Sequence, residues 1–271
     1  MLNFSRFLSI RRSRSISAVF LLGFISFSGF AQAQIADINS AINKAGRERM
    51  LSQRMAKAYF QVGLGVDTDR SKSALDASIS LFDRQLVELK NFAPTPEIKD
   101  TYQKLEKSWL AYKDALVGAA PNQANGKKVL ELSEEVLALA HQGTVQLEKH
   151  AGTTSGRLVN ISGRQRMLSQ RMAKFYQAAA WNVGGNQLSP EVEKSRKEFS
   201  AALLELSAAP SNTQALREEL ELVKQQWFFF ENALNQRIST DKTLATNVAT
   251  TSERILQTME NVVGLYEKSS R

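Results

Sequence analysis

The sequence predicts an all-α protein built as two tandem up-down four-helix bundles related by internal duplication. Three observations predict it. Apolar residues recur at helical spacing over long segments, and no useful segment shows the period of two that marks a half-buried strand. Short connections separate the segments, which favours antiparallel neighbours. Most telling, residues 43–57 recur as residues 160–174. Between Gly46/Gly163 and Lys57/Lys174 only Glu48/Gln165 differs. A self-similar stretch sets the architecture and is read first.

The first helix is expected over 35–64, ended by Gly63 and Gly65. Residues 67–70 read as a turn. The second helix spans 71–92, with Leu75, Ile79, Phe82, Leu86 and Leu89 on one side, and Pro94-Thr95-Pro96 breaks it. Thr95 is a good N-cap and Pro96 suits the first helical position of the third helix. That helix carries Leu105, Trp109, Tyr112 and Leu116 and stops near 118–121. Residues 122–126 read as a loop, and the fourth helix starts near Lys127. The connection 152–156 is short and lacks proline, so the fourth helix is expected to run nearly straight into the fifth.

The pattern then repeats. Gly46 and Gly163 stand 117 residues apart, as do Phe82 and Phe199, Leu86 and Leu203, and Leu89 and Leu206. Trp109 maps to Trp227 at 118, and Ser133-Glu134 to Ser252-Glu253 at 119, as does Glu148-Lys149 to Glu267-Lys268. The offset grows where loops make insertions cheap. Ser189-Pro190 and Ser211 are expected to cap the sixth and seventh helices. The expected units are 34–152 and 153–271. Trp109 and Trp227 belong in the bundle cores. The run Trp227-Phe228-Phe229-Phe230 predicts a buried helix or an inter-unit contact.

Composition excludes several function classes. There is no cysteine, hence no disulfide, thiolate metal site or cysteine nucleophile. Residues 1–33 read as a secretory signal: Arg6, Arg11, Arg12 and Arg14, an apolar run over 16–30, and Ala31-Gln32-Ala33 as a cleavage site. The chain is therefore expected in the periplasm, cut after Ala33; an uncleaved N-terminal membrane anchor is the alternative. The signal holds four arginines and no acid, so the net charge of +8 falls to +4 for residues 34–271. That mild excess does not support nucleic-acid binding. No Glu-x-x-His pair, Ser/His/Asp set or phosphate loop stands out, so neither an enzyme nor a cofactor is expected. His141 and His150 face Glu260 and Ser269 in the second copy and are read as surface residues.

On a helix, Asn43, Arg47, Met50, Arg54, Lys57 and Gln61 fall within about 40° of one line, a cationic stripe. Leu51, Met55, Ala58 and Val62 face the core. Met50, Met55, Met167 and Met172 read as core or interface filler. Arg49 lies on another face, beside Gln53 and Ala56. Gly46 and Gly163 cost roughly 1 kcal/mol each inside a helix, so their recurrence suggests close backbone approach by a helix or a ligand. Guanidinium suits planar oxyanions through forked hydrogen bonds. Three readings remain. The arginines pair with acids such as Asp83, Glu88 or Glu134 on neighbouring helices, bind a small anion, or form a protein-contact surface.

The run Asn-x-x-Gly-Arg-x-Arg-Met-Leu-Ser-Gln-Arg-Met-Ala resembles the signature of the NarX/PilJ-like sensory domain, over about fifteen residues in each copy. These are input domains of nitrate/nitrite sensor kinases and of type IV pili chemotaxis transducers. The resemblance implies a first helix of a periplasmic bundle, two of which meet across subunits and hold one anion between paired arginines. It carries over to Arg49 and Arg166 as anion-binding arginines, Gly46 and Gly163 as the family glycine, and Arg54 and Arg171 as its later arginine. Arg47 and Arg164 resemble the pili-transducer version and, with Lys57 and Lys174, are candidate partner contacts. Receptors of this class continue into a membrane helix and signalling module. This sequence shows neither after residue 271, and so looks like free-standing exported sensory domains. The implied function is recognition of a nitrate- or nitrite-like anion; the alternative is docking to a membrane sensor or a chemotaxis or pilus component. Two first helices in one chain could build the two-fold site internally. That requires the bundles to fold back side by side, or a homodimer.

Overall fold

The structure, a computed structural model, describes residues 35–185, 188–236, 238 and 241–269. The expected signal segment lies outside the described residues. Eight helices follow in order: α1 (Ile38–Leu64), α2 (Thr68–Phe92), α3 (Pro96–Val117), α4 (Gln123–Ala151), α5 (Thr154–Ala180), α6 (Leu188–Ala208), α7 (Gln214–Leu234) and α8 (Lys242–Lys268). Among the described residues there is no strand. The all-α tandem architecture read from sequence is the one observed.

Local chemistry accounts for the helix ends. Asp37 caps α1 by accepting from the Ser40 amide, and Thr95 caps α3 by accepting from Ile98, with Pro96 at the first position. Asn122 caps α4, so the expected loop at 122–126 is already the first helical turn. The expected turn at 67–70 likewise begins α2, with Asp67 in the left-handed region. Thr213, not Ser211, caps α7.

The expected continuous passage from the fourth helix into the fifth is corrected. Gly152 takes a left-handed φ of 62° and closes α4, and Thr153 caps α5 by accepting from the Gly156 amide. A left-handed residue reverses the chain where glycine bears no Cβ penalty. Glu134 on α4 and Arg171 on α5 then face each other across an antiparallel hairpin.

That reversal places the repeats side by side. Helices α1 and α5 are the central pair: α1 packs on α5, α4 and α2, and α5 on α1, α8 and α6, while α3 and α7 lean on α4 and α8. The central pair runs parallel and nearly in register. Ile42 lies beside Gly156, Gly46 beside Gly163, and Gly63 beside the Trp181 ring. Residues of both repeats join one hydrophobic core. Consequently 19 of 27 residues of α1 are buried, including Arg49, Ser52, Gln53 and Lys57. Of the cationic stripe, Asn43, Met50, Lys57 and Gln61 are buried, while Arg47 and Arg54 keep partial access to water.

Trp109 and Trp227 occupy equivalent buried places, packed on Phe82 and Phe199 with ring centroids 4.2 and 4.3 Å apart. The four motif methionines are buried as expected. The aromatic run on α7 divides: Trp227 and Phe230 are buried, whereas Phe228 and Phe229 are about 61% and 62% exposed. Residues three apart share a face and their neighbours do not, so only one side of α7 reaches the core.

Candidate functional site

The two motifs meet at the Gly46–Gly163 crossing. A Cβ on Gly46 would lie 3.2 Å from Arg49 Nη2, 3.4 Å from Arg166 Nη2 and 3.8 Å from the Gly163 Cα. A Cβ on Gly163 would lie 3.2 Å from Arg166 Nη2 and 3.6 Å from Arg49 Nη2. The recurring glycine thus leaves room for two guanidinium groups between two closely approaching backbones. Long helical side chains lean toward the N-terminus, so each arginine reaches nearly two turns back on the opposite helix. Arg49 Nη2 donates to Asn160 Oδ1 at 2.7 Å and to Asn160 O at 3.2 Å. Arg166 Nη2 donates to Asn43 O at 3.1 Å. Each asparagine amide in turn donates to a glutamate, Asn43 to Glu267 at 2.6 Å and Asn160 to Glu148.

The pseudo-symmetry breaks at one position. Glu260 accepts from Arg166 Nη1 at 2.7 Å and from Arg47 Nη2 at 2.7 Å. Its counterpart is His141, whose Nδ1 lies 3.3 Å from both Arg49 Nη1 and Arg164 Nη1. Arg164 has a carboxylate of its own, Glu198. Arg49 has none; its Nε, like that of Arg166, is buried without a partner. Burial, then the Arg164 and Arg166 charges, push the Arg49 guanidinium down to about 9. Burial and the same kind of cationic neighbours hold the His141 imidazole at about 4, so it is neutral near pH 7. His141 is thus half-buried at the crossing rather than a plain surface residue, and sequence reading missed its role. The signal was available: it faces Glu260 in the repeat alignment.

The other motif cations point elsewhere. Arg54 Nε and Nη2 donate to Glu253 at 3.1 and 2.7 Å, and Lys57 Nζ donates to Glu253 at 2.5 Å and Ser252 Oγ at 3.1 Å. In the second copy Arg171 donates to Glu134 at 2.6 Å and to Glu191 at 2.8 Å, while Lys174 donates to Glu134 at 2.5 Å and Ser133 Oγ at 3.0 Å. The Arg54/Lys57 and Arg171/Lys174 pairs of one repeat are therefore neutralised by the last helix of the other. Arg54 and Arg171 do not join Arg49 and Arg166 at the crossing, and Lys57 and Lys174 are buried rather than offered to a partner. Of the acids read as partners, Glu134 serves here; Glu88 pairs with Lys44, and Asp83 with Lys113 and Trp109.

Burial alone would raise the carboxyls of Glu134, Glu253 and Glu260, but Lys174 with Arg171, Lys57 with Arg54, and Arg166 with Arg47 bring each down to about 2. A carboxylate held below its ordinary value stabilises the fold above that value and ceases to as it is protonated. Stability should therefore fall as pH drops from about 4.5 toward 2, and denaturant midpoints measured at pH 6 and pH 3 check this; a flat profile would contradict it.

The family described as "Type IV pili methyl-accepting chemotaxis transducer N-term", PilJ, matches residues 31–134 and 152–253. No curated protein and no solved structure matches the chain. No helix among the described residues is long and apolar enough to cross a membrane. PilJ domains are sensory, non-catalytic modules, typically periplasmic parts of membrane transducers. Two matches cover most of the chain, each beginning with the helix that carries the Gly-Arg-x-Arg-Met motif: the protein belongs to the PilJ family and holds two copies of its domain.

Proposed function

We propose that the chain is a non-enzymatic exported sensory protein that recognises one small oxyanion, of the nitrate or nitrite kind, at the α1–α5 crossing. The observation that carries the reading is the environment of Arg49. It is a fully buried guanidinium met only by neutral acceptors, at the place where its repeat mate has Glu260. Glu148 and Glu198 act on it only at one remove, through Asn160 and beside Arg164; a buried charge without a directly bonded counter-charge is costly, and an entering anion relieves it. Arg166 and the glycine pair Gly46/Gly163 complete the cradle. Arg54 and Arg171, bound to Glu253 and Glu134, lie outside it. Bound anion changes the charge balance between the repeats, and a membrane partner reads that state.

Calorimetric titration with nitrate at low salt should give saturable binding of one anion per chain. His141→Glu, which restores the carboxylate of the other half, should abolish it, as should the double change Arg49→Ala with Arg166→Ala. Two anions per chain, or undiminished affinity in either variant, would overturn the reading. In the wild type, saturating nitrate should also raise the His141 pKa, followed by NMR, because the anion offsets Arg49.

A further inference from the structure

Arg54 and Arg171 sit in the same frame with one difference. Arg54 Nη1 donates to Ser78 Oγ at 3.4 Å and Arg171 Nη1 to Ser195 Oγ at 3.1 Å. Each serine hydroxyl bonds the carbonyl four residues earlier, Ala74 for Ser78 and Glu191 for Ser195. Ala74 and Glu191 are therefore register mates. In the second repeat the Glu191 carboxylate takes a bond from Arg171 Nη2 at 2.8 Å. In the first, Ala74 offers only a methyl group. A groove of about 470 Å³ opens there between α1, α2 and α8, lined among others by Ala74, Arg54, Lys57, Arg70, Glu253 and Arg254. The exposure of the two arginines follows the filling: the Arg54 side chain is 23% exposed, Arg171 only 13%.

The groove is electropositive. Four cations, Arg54, Lys57, Arg70 and Arg254, face two carboxylates: Glu253 is shared by Arg54 and Lys57, and Asp67 meets Arg70 loosely at 3.7 Å with both side chains exposed, which leaves a net excess of two positive charges. Its volume lies within the range of small-molecule sites. Guanidinium groups match carboxylates through paired hydrogen bonds.

We propose that this groove binds a small aliphatic dicarboxylate. One carboxylate sits on Arg54 as Glu191 sits on Arg171, and the second is held by Arg70 and Arg254 at the mouth. The site is independent of the α1–α5 crossing, because Arg49 and Arg166 do not line it.

The probe is succinate, titrated calorimetrically into the wild-type protein. Saturable binding of one succinate per chain is expected, undisturbed by saturating nitrate. Ala74→Glu supplies the missing carboxylate from within and should weaken succinate binding at least tenfold while leaving nitrate binding and the far-UV spectrum unchanged. Arg254→Gln changes an exposed residue and should also weaken succinate binding at least tenfold, so the test stands even where Ala74→Glu fails to fold. No saturable heat with wild type, displacement by nitrate, or unchanged succinate affinity in either folded variant would overturn the proposal.

Discussion

Replacing Glu253 with alanine is expected to lower the unfolding free energy by about 2–3 kcal/mol, below the cost of breaking a fully buried pair because the Glu253 side chain is 35% exposed. The carboxylate accepts from Arg54 at 2.7 Å and from Lys57 at 2.5 Å. Arg54 keeps partial access to water, but Lys57 is 2% exposed and would retain only the Ser252 hydroxyl. Burial already lowers the Lys57 pKa against the pull of Glu253. Without Glu253 it falls further, and the ammonium sheds its proton rather than remain charged. The loss should therefore be larger at pH 6 than at pH 10. Glu193→Ala is the control, since its carboxylate meets Arg196 at 3.7 Å and is half exposed; a pair of that kind contributes about 0–1 kcal/mol. Urea denaturation followed by circular dichroism separates the two. Equal losses for both variants would mean that the inter-repeat pair does not hold the helices together.

Glu48→Gln is expected to stabilise the protein by about 1–3 kcal/mol, the scale of a buried polar group relieved of its missing partners. Glu48 is fully buried, and neither carboxylate oxygen has a hydrogen-bond partner. Gln165 occupies the same place in the second copy and donates to the Phe199 carbonyl at 2.8 Å. Phe82 is the register mate of Phe199, so a glutamine at position 48 should donate to the Phe82 carbonyl. Burial pushes the Glu48 carboxyl well above its usual range; Arg47 opposes this, and Asp83 and Glu88 add to it. A group whose folded pKa is raised stabilises the fold below the ordinary value of about 4.5 and loses that contribution as pH rises toward the folded value. The gain from Glu48→Gln should thus be small at pH 4 and full at pH 8. A gain that is larger at pH 4, or absent at pH 8, would contradict the assignment.

Both predictions rest on comparing one repeat with the other, and the sequence itself supplied that comparison. The offset of 117 aligned Gly46 with Gly163 and Phe82 with Phe199, and the recurrence of Ser133-Glu134 as Ser252-Glu253 marked the groups that meet Lys174 and Lys57. Thr95-Pro96 was legible as a helix start because capping and proline act within a few residues. Asn122 reads as loop because a polar cap resembles a turn until the hydrogen bond it accepts is seen, and Asp67 does so because it starts α2 from the left-handed region with no side-chain cap.

The candidate site was legible in its parts but not in its assembly. The motif points to Arg49, Arg166, Gly46 and Gly163, and the structure brings these four together. It points equally to Arg54, Arg171, Lys57 and Lys174, which fold away onto Glu253 and Glu134. His141 reads as surface because, viewed on its own helix, nothing marks a lone histidine between two arginines of other helices.

The sequence by itself determined that the chain is helical, that it is duplicated, and where most helices begin and end, because these depend on spacing and on groups a few residues apart. Only the tertiary structure decided that α1 and α5 lie parallel and nearly in register, that most of the cationic stripe is buried, and that the Arg54/Lys57 and Arg171/Lys174 pairs are neutralised from the other repeat. A helical wheel gives the angle at which a side chain leaves its own axis. Which helix waits at that angle depends on the turn at Gly152 and on packing between residues more than a hundred positions apart.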